Sequence, residues 1–506
     1  MKRNYWRVFA FSICSNWNKP ALTDLYYGED GSDDMVIRSS YTYGEMCREI
    51  LGIHDMLYAK GLKKGDHIAI CGANSSNWII AYLAIASFHG IVVTVLPSQS
   101  IKDVVRQINF SDAKALFVDS ELWEKLKDQS LPQLDHVLFI DKLSSYRSVR
   151  KSLIDVLVKW AGIYLSLTFK NPDDLSVICS TSGSTGQAKG VMVAHRVYSV
   201  GGALLLSRLH APSDNRNVMA ILPFGHVFGL VDVNSALFSG SHVYILRSLV
   251  SPSNVIKIMM SIKPYRMMLI PLLVDGLAEN GNESMLAKCQ QFLRYGIAGG
   301  AIISSQTIDK LLNLKFPLTI GYGQTEASPL ISISSPSKYK KGSCGQVIGG
   351  CEVRIAPNGE ILVKGENVML GYYKDPEATA RKIDKDGWLH TGDKGHLDEE
   401  GYLYVEGRLE QDIIVLPNGE NIRPDNIESL INALPEVKES IVLAREGKLV
   451  AIVVPELQII TADLRRNILR TINPQLPLFS QLYDVEITDQ PLARTEKQTI
   501  KRYLYS

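Results

Sequence analysis

The sequence predicts an α/β protein built as a large N-terminal domain of packed mixed and parallel sheets with helices outside, a β-rich subdomain, and a small α+β C-terminal domain. Three observations predict it. Short apolar, β-branched runs alternate with helical stretches through the first four hundred residues. Near residue 350 the texture changes to alternating strands joined by tight turns. The length of 506 residues is also more than one compact core holds, so at least two domains are expected.

In chain order, the opening "MKRNYWRVFAFSIC" has a basic start, but Arg7 interrupts its apolar run and no small-residue cleavage site follows, so it reads as mature sequence. Strands are expected at "HIAICG" (67–72), "KALFVD" (114–119), "HVLFID" (136–141), "VMAILP" (218–223) and "HVYIL" (242–246). Their apolar runs do not alternate strictly, which suggests strands covered on both faces and hence largely parallel sheets. Trp78 to Leu96 is uncharged and long enough to cross a bilayer. Asn74 to Asn77 offer an N-cap and Gly90 a stop, so a buried helix followed by the strand "IVVTVL" explains it better. "CEVRIAPNGEILVKG" reads as a hairpin turning at Pro357, Asn358 and Gly359. "GYLYVEGR" is a strand ending at Gly407 and Arg408, which places the domain boundary there: 1–408 and 409–506. Beyond it come a helix from about Pro424 to Leu434, the strands "ESIVLARE" and "KLVAIVVP", and a helix at 461–471.

Composition narrows the function classes. A formal charge of +1 offers no general attraction to nucleic acid or anionic lipid. Seven cysteines at 14, 47, 71, 179, 289, 344 and 351 form no CxxC pair, which argues against a disulfide framework or zinc site and for a reducing, cytoplasmic setting.

One stretch carries chemistry by itself. "STSGSTGQAKG" (180–190) packs hydroxyls, glycines and one lysine into a segment that buries almost nothing. Glycines let successive N–H groups converge, hydroxyls add donors, and Lys189 supplies a mobile positive charge, a design suited to a nucleotide triphosphate. The spacing is not that of a Walker A loop.

This stretch resembles the signature of the acyl-adenylate-forming superfamily of acyl-CoA synthetases, luciferases and peptide adenylation domains, written S/T-S-G-S/T-T-G-x-P/A-K-G. Other blocks of that family follow in order: "LPFGHVFGL" (222–230), "AGGA" (298–301), "GYGQTEAS" (321–328) and "WLHTGDKGHLDEEGYLYVEGR" (388–408). The resemblance covers nearly the whole chain, and "LPNGENIRPDNIE" is similar to the version in long-chain acyl-CoA synthetases.

The resemblance implies ATP, Mg2+ and coenzyme A as cosubstrates, with acyl-AMP as intermediate. It implies that Thr181, Ser182, Gly183, Ser184, Thr185, Gly186 and Lys189 embrace the β- and γ-phosphates, with Thr185 and Glu326 as magnesium ligands. Gly299, Gly300 and Ala301 bring bare backbone to the purine. Tyr322, in the block with Gly321, Gly323 and Gln324, stacks on adenine, and Thr325 meets the α-phosphate. Asp393 accepts both ribose hydroxyls, Arg408 contacts the ribose, and His226 gates the acyl pocket. Gly419 lines the pantetheine channel, and the small domain is mobile about a hinge at Gln411 or Asp412.

The tail departs from the family pattern P-x-T-x-x-G-K. "KQTIKR" is similar to the K-G-T-I/V-x-R variant and makes Lys497 the catalytic lysine; aligned without a gap, Thr499 falls at that position, leaving Lys497 or Lys501.

The acyl site is expected among 223–236, 296–301 and 321–331, stretches that are mostly apolar and hold no basic residue. A simple apolar monocarboxylate fits, a fatty acid first and an aryl or other bulky hydrophobic acid next. Asp232 is a weak candidate for greeting an amino group. An acyl carrier protein is the alternative acceptor to CoA.

Overall fold

The structure is a computed structural model and describes residues 5–27, 35–146, 161, 171–181, 189–197, 216–247, 250–300, 303, 305–335, 338–409, 414–417, 419–456, 462–492 and 505. Among these, two large sheets dominate. The first runs in the order Gly371–Tyr372, Lys189–Ala194, Leu175–Thr181, Ile91–Val95, His67–Cys71, Ala115–Val118, His136–Phe139. Its last five strands are parallel, as their unbroken apolar character requires, and its first three pair antiparallel. The second runs Gln346–Val347, Ser332–Ile333, Leu318–Tyr322, Tyr295–Ala298, Arg266–Leu269, Asn217–Ala220, His242–Leu246, Pro20–Tyr27, Met35–Thr42.

The uncharged run after Asn77 resolves as the helix Ser76–Ser87 and the strand Ile91–Val95. Ser75 caps the helix, accepting from the Trp78 amide at 3.1 Å. The helix is apolar all round because it packs against strands of both sheets, so it has almost no solvent face. Its stop differs from expectation in one detail. His89 takes the left-handed turn at φ 66°, and Gly90 is needed for space: a Cβ there would lie 3.0 Å from Ile85 Cγ2. No described helix is long and apolar enough to cross a membrane.

The hairpin forms as Cys351–Ile355 and Glu360–Gly365, with Gly359 at φ 85° in its turn. With Leu389–Leu397 and Leu403–Arg408 it makes a four-stranded antiparallel sheet. The C-terminal part has its own core, in which Ile427 and Ile431 of the helix Pro424–Asn432 and Ile468 of the helix Ala462–Ile472 pack on Val442 and Ala451. Its sheet gains a strand the sequence reading passed over, Asp484–Ile487, parallel to Lys448–Pro455. Two polar residues punctuate that strand, which hides its short apolar pattern.

Candidate active site

The hydroxyl-rich loop is closed at its base by a strand pair. Thr181 is the register partner of Lys189 and Ser180 of Gly190, so the chain leaves the first sheet and returns beside itself. Ser182, Gly183, Ser184, Thr185 and Gly186 lie outside the described residues. Gly190 is required by packing: a Cβ would sit 2.8 Å from Ile178 Cγ2 and 3.2 Å from Tyr373 Cβ.

Lys189 extends over the ring of Tyr372, its ammonium 4.9 Å from the centroid. The same tyrosine donates its hydroxyl to Glu326 Oε1 at 2.7 Å. Burial first, and then the Glu326 carboxylate, push the Tyr372 phenol far above its ordinary pKa, so it stays a neutral donor. The expected phosphate lysine and the expected metal carboxylate are thus joined through a residue that sequence reasoning missed. Its only signal is the "GYY" at 371–373, whose strand pairs with the one leaving the loop.

The "GYGQTEAS" block continues the strand Leu318–Tyr322 and turns at Thr325–Ala327. Gly323 admits no side chain, since a Cβ would fall 1.7 Å from the Pro329 carbonyl oxygen. Tyr322 donates to Asp393 Oδ2 at 2.6 Å, and Gln324 Nε2 reaches the Thr391 carbonyl at 3.3 Å. Two of the expected nucleotide blocks therefore meet side chain to side chain. Asp393 is buried, its amide tied to Thr391 Oγ1 at 3.0 Å, and Glu360 Oε1 accepts from the Gly392 amide at 3.0 Å. Arg408 is the register partner of Asp393; its side chain lies outside the described residues.

Gly299 follows the strand Tyr295–Ala298, where a Cβ would come 2.9 Å from the Gly321 carbonyl oxygen and 3.7 Å from Phe228 Cζ. Gly300 is left-handed at φ 96° with open space beside it, and Ala301 lies outside the described residues.

His226 is the N-cap residue of the helix Val227–Phe238. The loop before it is anchored from the neighbouring sheet. Asn74 Nδ2 donates to the Leu222 carbonyl at 2.8 Å and Oδ1 accepts from the Phe224 amide at 2.9 Å, while Thr94 Oγ1 donates to the Gly225 carbonyl at 2.8 Å. His226 as a residue is half-buried, and desolvation by the surrounding protein lowers the pKa of its ring to about 4 and holds it neutral.

Asp232 has a different role from the one considered above. It is buried and paired with Arg266, whose Nη2 lies 3.0 Å from Asp232 Oδ1. Burial raises its pKa to about 6 against the lowering influence of Arg266. The three stretches expected to line the acyl site hold no basic residue, but the fold brings one in from the strand Arg266–Leu269.

In the small domain Gly419 sits at φ 84° in the turn between Ile414–Val415 and Asn421–Ile422, with nothing near its Cα hydrogens. One residue of this turn touches the large domain: the Leu272 amide donates to the Pro417 carbonyl at 2.8 Å. Gln411, Asp412, Lys497 and Lys501 lie outside the described residues.

The Lys189–Tyr372–Glu326 cluster, the Tyr322–Asp393 bond and a small C-terminal unit with its own core are what the fold sets beside the comparisons with known proteins. The chain belongs to the AMP-binding enzyme family: residues 16–373 match that family, and residues 411–505 match the AMP-binding enzyme C-terminal domain. It is 30% identical over 439 residues to a methyl-dioxo-octahydro-indenyl propanoyl:CoA ligase of Rhodococcus jostii, covering 79% of this chain and 80% of that enzyme. It is 28% identical to 4-coumarate–CoA ligase 3 of Arabidopsis thaliana, over 78% of this chain and 72% of that one. The fold is shared with o-succinylbenzoate CoA synthetase of Bacillus subtilis bound with a product analogue, at TM-score 0.80 and 22% identity, over 99% of this chain and 97% of that one. By class the chain is an AMP-forming acyl-CoA ligase.

Proposed function

We propose that this chain activates a hydrophobic monocarboxylic acid whose body is a ring system, joins it to AMP, and passes the acyl group to the thiol of CoA. The observation that carries the reading is the seam beside the adenylate end. Phe228 there faces the bare backbone of Gly299, and Asp232, the carboxylate that an ammonium group would need, is engaged by Arg266. Relatives named for an indenyl propanoyl group and for coumarate favour a ring-bearing acid over the fatty acid that the sequence alone put first. The mostly apolar character of Val227–Phe238, broken only by Asp232, Asn234 and Ser235, keeps a fatty acid as the second reading.

In the first step the carboxylate oxygen attacks the α-phosphorus of ATP and pyrophosphate leaves. Lys189 would neutralise phosphate charge while the hydroxyls of Thr181, Ser182, Ser184 and Thr185 donate to the phosphate oxygens, and Tyr372 holds Glu326 in place. Glu326 and Thr185 are the residues we assign to magnesium. A hard carboxylate whose second oxygen is not the one bonded to Tyr372 fits that ion, which supplies charge neutralisation at the phosphates when bound. Tyr322 and Asp393 would hold the nucleoside; the phenol and the ribose share one carboxylate. Lys497 bridges the reacting anions, Lys501 being the alternative. In the second step the thiol adds to the acyl carbon, its proton is lost and AMP departs, with Gly419 beside the thiol arm and the pivot at Gln411 or Asp412. We place the enzyme in the cytoplasm, because its seven cysteines are all free thiols.

Pyrophosphate exchange across cinnamic, cyclic propanoic and fatty acids, followed by thioester assay with CoA, tests the reading. Exchange with ring acids and consumption of CoA are expected. Exchange confined to fatty acids overturns the ring assignment. Exchange without CoA consumption moves the acceptor to a carrier protein.

A further inference from the structure

The seam between the helix Val227–Phe238 and the second sheet holds a charged pair that the nucleotide chemistry does not use. Arg266 is fully buried; besides the 3.0 Å approach to Asp232 Oδ1, its Nη2 donates to the Asp232 carbonyl at 3.1 Å. The contact balances charge but leaves hydrogen bonds unmade. Arg266 Nε and Nη1, and Asp232 Oδ1 itself, have no hydrogen-bond partner among the described residues. Buried guanidinium donors without acceptors are rare and costly. The other buried polar groups of this helix, Asn234 and Ser235, bond to Tyr82 and to the Asp232 carbonyl and not to the guanidinium, so its donors call for an oxygen brought from outside the chain.

The pair shares its helix and its sheet with the expected adenylate end. Tyr295 is the register partner of Arg266, and Gly299, one residue past the end of that strand, meets the same helix through Phe228. Phe228, which stands over Gly299, precedes Asp232 by four residues and shares its helix face. One seam therefore carries Phe228 against Gly299 at the adenylate end and Asp232 against Arg266 deeper in. Four helical residues advance about 6 Å and four strand residues about 13 Å. The Arg266 head must accordingly lie well forward of its own Cα, toward the adenylate end, to meet Asp232.

We infer that Arg266 and Asp232 form a specificity-determining element of the acyl site, selecting acids that carry a ketone or hydroxyl oxygen at the end remote from the reacting carboxylate. The inference rests on the reading of the chain as a ligase of hydrophobic ring acids and narrows it. A ketone accepts from the unmet guanidinium donors, and a hydroxyl can in addition donate to Asp232 Oδ1. A saturated ring or an alkyl chain does neither.

The test compares cyclohexanepropanoate with its ring-ketone counterpart in pyrophosphate exchange. Wild type is expected to favour the ketone at least about tenfold in kcat/KM, since a site built to bond an oxygen rejects the analogue lacking it. The double variant Arg266→Met with Asp232→Leu replaces the pair by apolar groups and leaves no unpaired charge, so it should fold, and its ratio should fall to about one. A purely structural pair would slow both acids alike and leave the ratio unchanged. If the double variant does not fold, Arg266→Lys, which keeps the charge but loses the planar fork, should lower the ratio in the same direction. Equal wild-type use of both acids, or a variant that keeps the wild-type ratio, overturns the inference alone. Exchange with neither acid overturns the ring-acid reading and the inference with it.

Discussion

Tyr372 Oη lies 2.7 Å from Glu326 Oε1, and the ring that carries this hydroxyl lies beneath the Lys189 ammonium. One side chain thereby holds a carboxylate and a cation, the two groups proposed above to act on a polyphosphate from opposite sides of the charge balance. The arrangement is held by main-chain pairing, since the Met369 amide donates to the Glu326 carbonyl at 2.9 Å and Tyr372 pairs with Val191.

Tyr372→Phe should therefore separate the two contacts. The ring stays under Lys189 while the bond to Glu326 is lost, at a cost of about 1.5–3 kcal/mol for a bond to a charged group. The expected result is a roughly tenfold to hundredfold fall in kcat/KM for ATP, a higher magnesium requirement and a Tm lowered by a few degrees. Magnesium titrations of nucleotide binding and of exchange rates check it. An unchanged magnesium dependence would show that Glu326 needs no such support.

Gly323→Ala should be severe. The added carbon would overlap the Pro329 carbonyl, both atoms belonging to backbone that has no rotamer to yield. A loss of about 3 kcal/mol or more is expected, at the high end of overpacking. Gly300→Ala, where only the left-handed φ is at stake, should cost about 1–2 kcal/mol. Thermal unfolding of the two variants side by side gives the ranking.

The pH dependence of stability has a readable sign at His226. Its folded pKa of about 4 lies below the unfolded value of about 6.5, so the unfolded chain binds more protons between these limits. Stability from this group is intact above pH 6.5 and lost progressively as pH falls toward 4. His226→Gln should accordingly gain on wild type as the solution is acidified through that window, by on the order of 2 kcal/mol at its lower end. Urea melts of both proteins at several pH values test this, and parallel curves would refute it.

Gly419→Leu bears on the second half-reaction. The turn at φ 84° strains any side chain, and the new group would stand where the thiol arm is proposed to pass. Pyrophosphate exchange should stay within about threefold of wild type while thioester formation falls by an order of magnitude or more. Equal losses in both assays would mark the residue as structural only.

Much of this was legible in the chain itself. Unbroken runs such as "HIAIC" and "HVYIL" declare two-sided burial, and the strands formed where they stand. The family's blocks were readable because they are local: Tyr322 and Asp393 each sit in a dense motif, although only the fold shows that they touch. What escaped notice depends on contacts between distant segments. Asn74 and Thr94 are ordinary polar residues until the second sheet lays Leu222 to Gly225 across them. Arg266 opens a strand where an exposed charge is commonplace, and nothing around it in sequence announces complete burial opposite Asp232. Asp484–Ile487 is too short to show a period, and its parallel partner lies about thirty residues earlier.

The anchoring of the His226 loop has a practical consequence for anyone seeking to change what this enzyme accepts. Three bonds from Asn74 and Thr94, residues at and just beyond strands of the first sheet, rivet the proposed gatepost in place. Remodelling that loop would loosen the join between the two halves of the large domain before it altered selectivity. With the acyl site as proposed, new acids are better sought by exchanging side chains along the helix behind it, at Phe228 above all, whose ring meets Gly299 and makes none of these three bonds.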